Sequence, residues 1–147
     1  MSRALAVLGL VLGLAAVPAH PAQAPGVVTI TPDNFKAEVL GSSLPVLVDV
    51  GATWCVPCRL LNPLVDKMAV EYAGRLKVVR VDADANGDLV DNLGIQAFPT
   101  LLFFKKGKVV KTAVGLETEK ELRSQIDRVL GPASAAKKAP SGPGQMH

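Results

Sequence analysis

The apolar positions of this chain fall into blocks, and their period changes from block to block. "VVTI" (27–30) is a short β-branched run of the kind that forms strands. Thr31-Pro32-Asp33 then opens a helix. Thr31 is its cap, and Pro32 takes the first helical position, where a missing N–H loses no partner. Phe35, Val39 and Leu40 supply an apolar face, and Gly41-Ser42-Ser43 ends the helix. "LPVLVDVGA" (44–52) is almost wholly apolar between turn residues, which predicts a central strand buried on both faces. Leu60, Leu61, Leu64, Val65, Met68 and Tyr72 recur at helical spacing, with Pro63 predicting a bend and Gly74 a stop.

"LKVVRVDAD" (76–84) predicts the next strand, and "NGDLVDNLG" (86–94) a short helix. "PTLLFF" (99–104) and "KVVKTAV" (108–114) flank Lys105-Lys106-Gly107, a hairpin signal. Thr118 to Leu130 is a last amphipathic helix, stopped by Gly131-Pro132. The order β-α-β-α-β-α-β-β-α predicts an α/β domain with parallel strands, helices on both faces and an antiparallel edge from the late hairpin.

The 147 residues suffice for one domain of this kind, and 49% apolar composition excludes disorder throughout. Formal charge is +3, but Arg3, Lys137 and Lys138 lie near the ends. The other 13 Lys and Arg match the 13 Asp and Glu, so the domain is near neutral. No basic stripe is interleaved with aromatics, so a nucleic-acid partner has no support. Arg3 followed by 14 uncharged residues, Ala4 to Val17, has the layout of a secretory signal. The run is short against the roughly 20 residues of a membrane span. Cleavage after Ala19 fits Val17-Pro18-Ala19; Ala22-Gln23-Ala24 also fits, but Pro25 would follow the cut. An uncleaved anchor is the other reading. The expected organisation is a leader over 1–19, a linker over 20–25, a domain over 26–131 and a flexible Pro/Ala/Gly/Ser-rich tail over 132–147. The expected location is outside the cytoplasm: periplasmic if the source is bacterial, and membrane-tethered if the leader stays.

Cys55 and Cys58 are the only cysteines. A structural zinc needs four ligands, and the only histidines, His20 and His147, lie near opposite ends, so no metal is expected. A purely structural disulfide closing so short a loop removes little unfolded-state entropy. The third reading is a reactive pair. Cys55 falls where a strand ends and a helix begins, and the helix dipole and unpaired N–H groups there favour thiolate. Cys58 sits within the first turn, in reach of Cys55, and Pro57 suits an early helical position. Asp49 interrupts an apolar strand. Burial should raise its pKa and make it a proton acceptor for Cys58, or it is salt-bridged, with Arg80 on the adjacent strand as partner; the two can coexist. Pro99 is either a simple strand opener or a cis proline beside the cysteines, exposing the backbone of Phe98 to an extended peptide.

Together "VLVDVGATWCVPCRLLNP", "VVRVDADAN" and "FPTLLFFKKGKVVKTAVG" resemble the thioredoxin family over about residues 27 to 130. The resemblance implies the thioredoxin fold, a central mixed five-stranded sheet flanked by four helices, and thiol–disulfide exchange with no cofactor beyond a redox-active Cys55–Cys58 disulfide. Cys55 is then the attacking thiol, Cys58 the resolving one and Asp49 the buried acid. Arg80 takes the place of the family's lysine paired with that acid, with Pro57 and Pro99 in support. Trp54, Val56, Ala97, Phe98 and Val114 line the substrate rim. Two departures stand out: Val56 replaces the usual glycine between the cysteines, and Gly51 stands where many members carry tryptophan, with space expected near Asp49. With the leader, they suit an exported relative with its own clients, such as proteins that reduce cysteines before haem attachment. The expected activity is reduction of protein disulfides by a monomer, recharged by a membrane-embedded or other thiol donor. Net oxidase or isomerase activity is the rival within this chemistry. A redox-independent binding module or holdase is the rival outside it.

Overall fold

In this computed structural model, residues 26–132 are described; the expected leader, linker and tail beyond Pro132 lie outside them. Five aliphatic blocks form β1 (Val28–Ile30), β2 (Val46–Gly51), β3 (Lys77–Asp82), β4 (Thr100–Lys105) and β5 (Lys108–Val114). They make one mixed sheet in the order β1-β3-β2-β4-β5. β3 pairs in parallel with β1 and β2, while β4 runs antiparallel to both β2 and β5. The four helices are α1 (Pro32–Phe35), α2 (Val56–Glu71), α3 (Gly87–Asn92) and α4 (Glu119–Leu130). This is the expected five-stranded, four-helix architecture, and β2 is its centre, buried from Val46 to Val50.

Alternation along the strands divides the core in two. On one face Ile30, Val48, Val50, Val79, Val81, Leu102 and Phe104 pack with Val39 and with Leu89 and Val90 of α3. On the other, Leu47, Val78, Leu101 and Phe103 pack with Leu61, Val65 and Met68 of α2 and Leu122 and Ile126 of α4. Burying one such side chain as fully as Phe103 contributes on the order of 2 kcal/mol. Asp49 lies two residues after Leu47, so it shares the face beneath α2.

The strand limits differ from the apolar runs where proline intervenes. β2 begins at Val46 and β4 at Thr100, because Pro45 and Pro99 have no N–H to give the ladder. Pro45 still offers its carbonyl to the Lys77 N–H at 2.9 Å. Pro63 does not break α2, which runs on from Val56 to Glu71. Leu40, expected on an apolar face, and Leu60, a member of the α2 repeat, both point out. α1 passes into a π-helical turn (Lys36–Leu40), in which the Gly41 N–H reaches back to the Lys36 carbonyl at 2.8 Å. The wider turn re-phases the apolar face, leaving Val39 buried and Leu40 41% exposed. In α2 the inner stripe is Leu61, Val65, Met68 and Tyr72, and Leu60 falls outside it at 60% exposed.

Thr118, expected as the first residue of the last helix, is the cap of α4. Its side chain accepts from the Glu121 N–H at 3.3 Å, and the Glu121 carboxylate accepts from the Thr118 N–H at 2.9 Å. Among the described residues, no helix is long and apolar enough to cross a membrane.

Candidate active site

β2 ends at Gly51, and four residues later Cys55 caps α2. Its sulfur accepts from the Cys58 N–H at 3.3 Å, so the first cysteine satisfies one of the open donors at the helix start. Val56 and Pro57 open the helix, and Pro57 loses nothing by lacking an N–H there. Cys55 and Cys58 are disulfide-bonded, with their Cα atoms 5.3 Å apart. Both are buried, but they face different surroundings. Cys55 lies between exposed Trp54 and Val56, whereas Cys58 backs onto β2. A Cβ added to Gly51 would stand 3.0 Å from the Cys58 sulfur and 3.2 Å from its Cβ. Cys58 therefore fills the room that the missing side chain at Gly51 leaves, and the space expected there is occupied by the site itself.

Asp49 and Gly51 are separated by one residue of the same strand, so they share the face over which α2 lies. Asp49 is 1% exposed. In the register it stands opposite Arg80 on β3. The Arg80 Nε donates to its Oδ2 at 2.9 Å, and Arg80 Nη2 donates to Asp66 Oδ1 of α2 at 3.0 Å. Burial is the largest influence on Asp49 and raises its pKa; the Arg80 hydrogen bond and charge oppose it, and Asp66 adds to the rise. Asp49 is thus ion-paired, and burial nevertheless raises its pKa above that of a free carboxyl.

The Phe98–Pro99 peptide bond is cis. The Thr100 hydroxyl donates to the Ala97 carbonyl at 2.8 Å, which fixes the turn before β4. Thr100 pairs with Val114, and the Gly115 N–H donates to the Pro99 carbonyl at 2.8 Å, so the end of β5 is bound to the proline. Trp54 meets Phe98 edge to face, with centroids 6.1 Å apart. Its indole N–H donates to Asp84 Oδ1 at 3.0 Å. Trp54 is nevertheless 65% exposed, and Val56 and Val114 are exposed with it. Trp54, next to Cys55, thus touches Phe98, while Val114 is tied to the strand that follows Pro99; Arg80 bonds Asp49 on β2.

Three neighbours of the site, Asp66, Asp84 and Leu116, are not singled out by the sequence, and a fourth, Leu60, figures in it only as a member of the α2 repeat. Asp66 shares the Arg80 guanidinium, and Asp84 orients the tryptophan. Leu60 follows Val56 by one helical turn and extends the apolar surface of α2. Leu116 is exposed directly after Gly115, which is bonded to Pro99. The Val56/Leu60 spacing was readable as an outward stripe; the other three depend on long-range register. Among the described residues, no group of three or more His, Cys, Asp or Glu side chains could hold a metal.

Comparison with known proteins gives the same picture. The family model "Thioredoxin" matches residues 26–128. "Thioredoxin 1" of Synechococcus elongatus is 45% identical over 101 residues, covering 69% of this chain and 94% of that protein. "Thioredoxin" of Pyropia yezoensis is 41% identical over the same length and coverage. "Thioredoxin C-2" of Corynebacterium nephridii is 40% identical over 102 residues, again 69% of this chain and 94% of that protein. A vicinal disulfide capping a helix over a buried acid, with these matches across the whole described domain, means that this chain belongs to the thioredoxin family.

Proposed function

We propose that this thioredoxin-type oxidoreductase works as a protein-disulfide reductase outside the cytoplasm. The observation that carries the catalytic reading is the Cys55–Cys58 pair at the start of α2, with Cys55 next to Trp54 and Cys58 packed on β2 at Gly51, two residues along the strand from Asp49. Thioredoxins act on disulfide-containing client proteins and need no cofactor beyond their own disulfide.

In the reduced form, the helix N-terminus stabilises the Cys55 thiolate. This thiolate attacks one sulfur of a client disulfide, forming a mixed disulfide and expelling the client's other sulfur as thiolate. Trp54, Val56, Ala97, Phe98 and Val114 hold the client strand against the site, with the Pro99 segment offering backbone. Asp49 lies on the same face of β2 as Gly51, against which Cys58 packs. From there Asp49 takes the proton of Cys58. The Cys58 thiolate then attacks the Cys55 sulfur, and the second client thiolate leaves. Two electrons have passed to the client, and the domain is left as the disulfide described here. A thiol donor, membrane-embedded or soluble, restores it.

Export rests on Arg3 and the uncharged run that follows it. The domain then acts in the periplasm of a bacterial source, free after cleavage or tethered by the leader. The test is Cys58→Ser expressed in the source cell. Clients should accumulate as adducts on Cys55 that dithiothreitol releases, in the exported fraction. Absence of reducible adducts removes the mechanism, and adducts confined to the cytoplasm remove the location. Direction is read from the reduction potential and the in-cell state of the pair: a pair found largely reduced is a reductase, and one kept oxidised is an oxidase.

A further inference from the structure

The end of the sheet opposite the disulfide has a different chemistry. Lys106 and Gly107 form the two-residue tip between β4 and β5, both with positive φ (52° and 74°), as a tight hairpin of matching twist requires. Lys105 stands directly opposite Lys108 in the register, a like-charge pair that strand pairing disfavours. Lys105 is relieved by donating to the Val129 carbonyl of α4 at 3.0 Å. The side chains of Lys106, Lys108 and Lys111 have no hydrogen bond or ion pair among the described residues. No Asp or Glu occurs between Asp91 and Glu117. On the packed elements, Glu38 pairs with Lys77 and Asp127 accepts from Tyr72.

In sequence Val109 and Val110, 47% and 51% exposed, lie between Lys108 and Lys111; in the register Lys111 stands opposite Phe103 and Val109 opposite Phe104, so valines and lysines flank the edge strand from its two sides. The Leu40 carbonyl lies against Gly107, 3.0 Å from where a Cβ would be, and Leu40 is itself 41% exposed. Edge strands carry lysines to prevent stray pairing, but that purpose does not call for exposed aliphatics among them. Cations interleaved with aliphatic side chains match a lipid interface, where the ammonium groups meet phosphates and the side chains enter the acyl boundary. No aromatic platform for a nucleic-acid base is present among these residues.

We propose that the β4–β5 hairpin end, through Lys106, Lys108, Lys111, Val109, Val110 and Leu40, docks on an anionic phospholipid surface. The occupant is fixed by charge complementarity with a cationic patch that no protein carboxylate offsets. Docked this way, the sheet stands between lipid and disulfide. The six residues of β2 separate them by about 20 Å, and the redox rim stays open to clients.

The test uses the full chain and vesicles of phosphatidylcholine alone or with phosphatidylglycerol. The quantity read is the gain in partitioning that phosphatidylglycerol brings at low salt, so that uncharged binding by the N-terminal run cancels. The triple change Lys106→Gln, Lys108→Gln, Lys111→Gln should reduce that gain about 100-fold. Val109→Ser with Val110→Ser should reduce it several-fold. Insulin reduction should be unchanged in both, which verifies the fold. A control that removes equal charge elsewhere, Lys120→Gln, Lys137→Gln, Lys138→Gln, should have the smaller effect. The proposal is overturned if the hairpin variant keeps the full gain, if the control loses as much, or if the hairpin variant loses binding to duplex DNA but not to the charged vesicles.

Discussion

Two arginines in this molecule each hold two carboxylates, and they serve different ends. Arg80 joins Asp49 to Asp66 beneath the disulfide. Arg123 joins Glu71 of α2 to Glu119 of its own helix, at 2.5 and 2.8 Å, and Lys67 also reaches Glu119. The pairings are chemically alike, but burial reverses the result. In the outer cluster, the Arg123 hydrogen bond holds Glu71 below its ordinary pKa, and Lys67 and then Arg123 do the same for Glu119. Water solvates those carboxylates, so the cation simply adds to their preference for charge. At Asp49 desolvation outweighs the same kind of bond, and the pKa rises. An ion pair therefore does not identify a staple. The dielectric around its acid decides whether that acid stays charged or is left able to carry a proton.

Removing the buried acid should give the largest effect. Asp49→Asn keeps the shape and an acceptor for Arg80 but removes the titrating group. Turnover of insulin near neutral pH should fall about 100-fold, within the range for a lost general base. Stability should move the other way. The folded-state pKa of Asp49 is raised, so the folded protein holds the proton more tightly than the unfolded chain. Stability from that proton is full below the ordinary value of 3.8 and is lost as pH rises through the folded pKa. Asp49→Asn should accordingly match the parent in acid and exceed it near neutral pH in urea titrations. A variant less stable than the parent at neutral pH would show Arg80, not desolvation, to be in control.

Gly51 tests how closely β2 and the disulfide are fitted. Gly51→Ala places a methyl 3.0 Å from the Cys58 sulfur. Overpacking of this kind costs about 1–3 kcal/mol. The loss should be larger in the oxidised protein, where the disulfide holds Cys58 in place, than in the reduced one. Gly87 offers the contrast, since a Cβ there meets nothing within 4 Å. Gly87→Ala should be neutral or slightly stabilising through the unfolded chain. Equal loss at both positions would mean that the site has slack beside Cys58.

The sequence made the inner arginine cluster legible and left the outer one unseen. Asp49 stands out because a carboxyl inside "VLVDV" has no solvent, and Arg80 follows from aligning two adjacent parallel strands. Asp66 does not stand out: it is an ordinary polar position on the exposed side of α2, given meaning only by what β3 presents to it. Glu71, Arg123 and Glu119 likewise read as solvated helix faces, since nothing local tells which turn of α4 meets which turn of α2. The same limit applies to Leu116, which reaches the rim through the bond between Gly115 and Pro99. Leu40 was misplaced for another reason, because apolar periodicity assumes one helical pitch and the π-helical turn changes it. Local chemistry and strand order are written in the chain. Contacts set by the phase of distant elements emerge only when they pack.

Cutting each arginine separates the two clusters by pH. Arg80→Gln removes the main influence that lowers the pKa of Asp49. If Asp49 must be charged to receive the Cys58 proton, the acid limb of the turnover profile should move to higher pH. The alkaline plateau should change less than in Asp49→Asn. A shift toward lower pH would contradict the account of Asp49.

Arg123→Gln should have the smallest effect, and its form matters more than its size. Arg123 stands between α2 and α4, far from the sulfurs in the chain, and its partners are solvated. Exposed pairs of this type contribute little, and salt screens them. The variant should lose a few degrees of melting temperature at most, with turnover and its pH profile unchanged. Because Glu71 and Glu119 have lowered pKa values, their contribution exists above the ordinary value of 4.5 and disappears as pH falls through the folded-state values. Parent and variant should therefore converge in acid, and converge again in 0.5 M salt at neutral pH. The pH shift of Arg80→Gln should survive the same salt, because Asp49 is screened by protein rather than by ions. Were salt to erase both differences alike, Asp49 would have to be as solvated as Glu71, and the contrast between the two arginines would vanish with it.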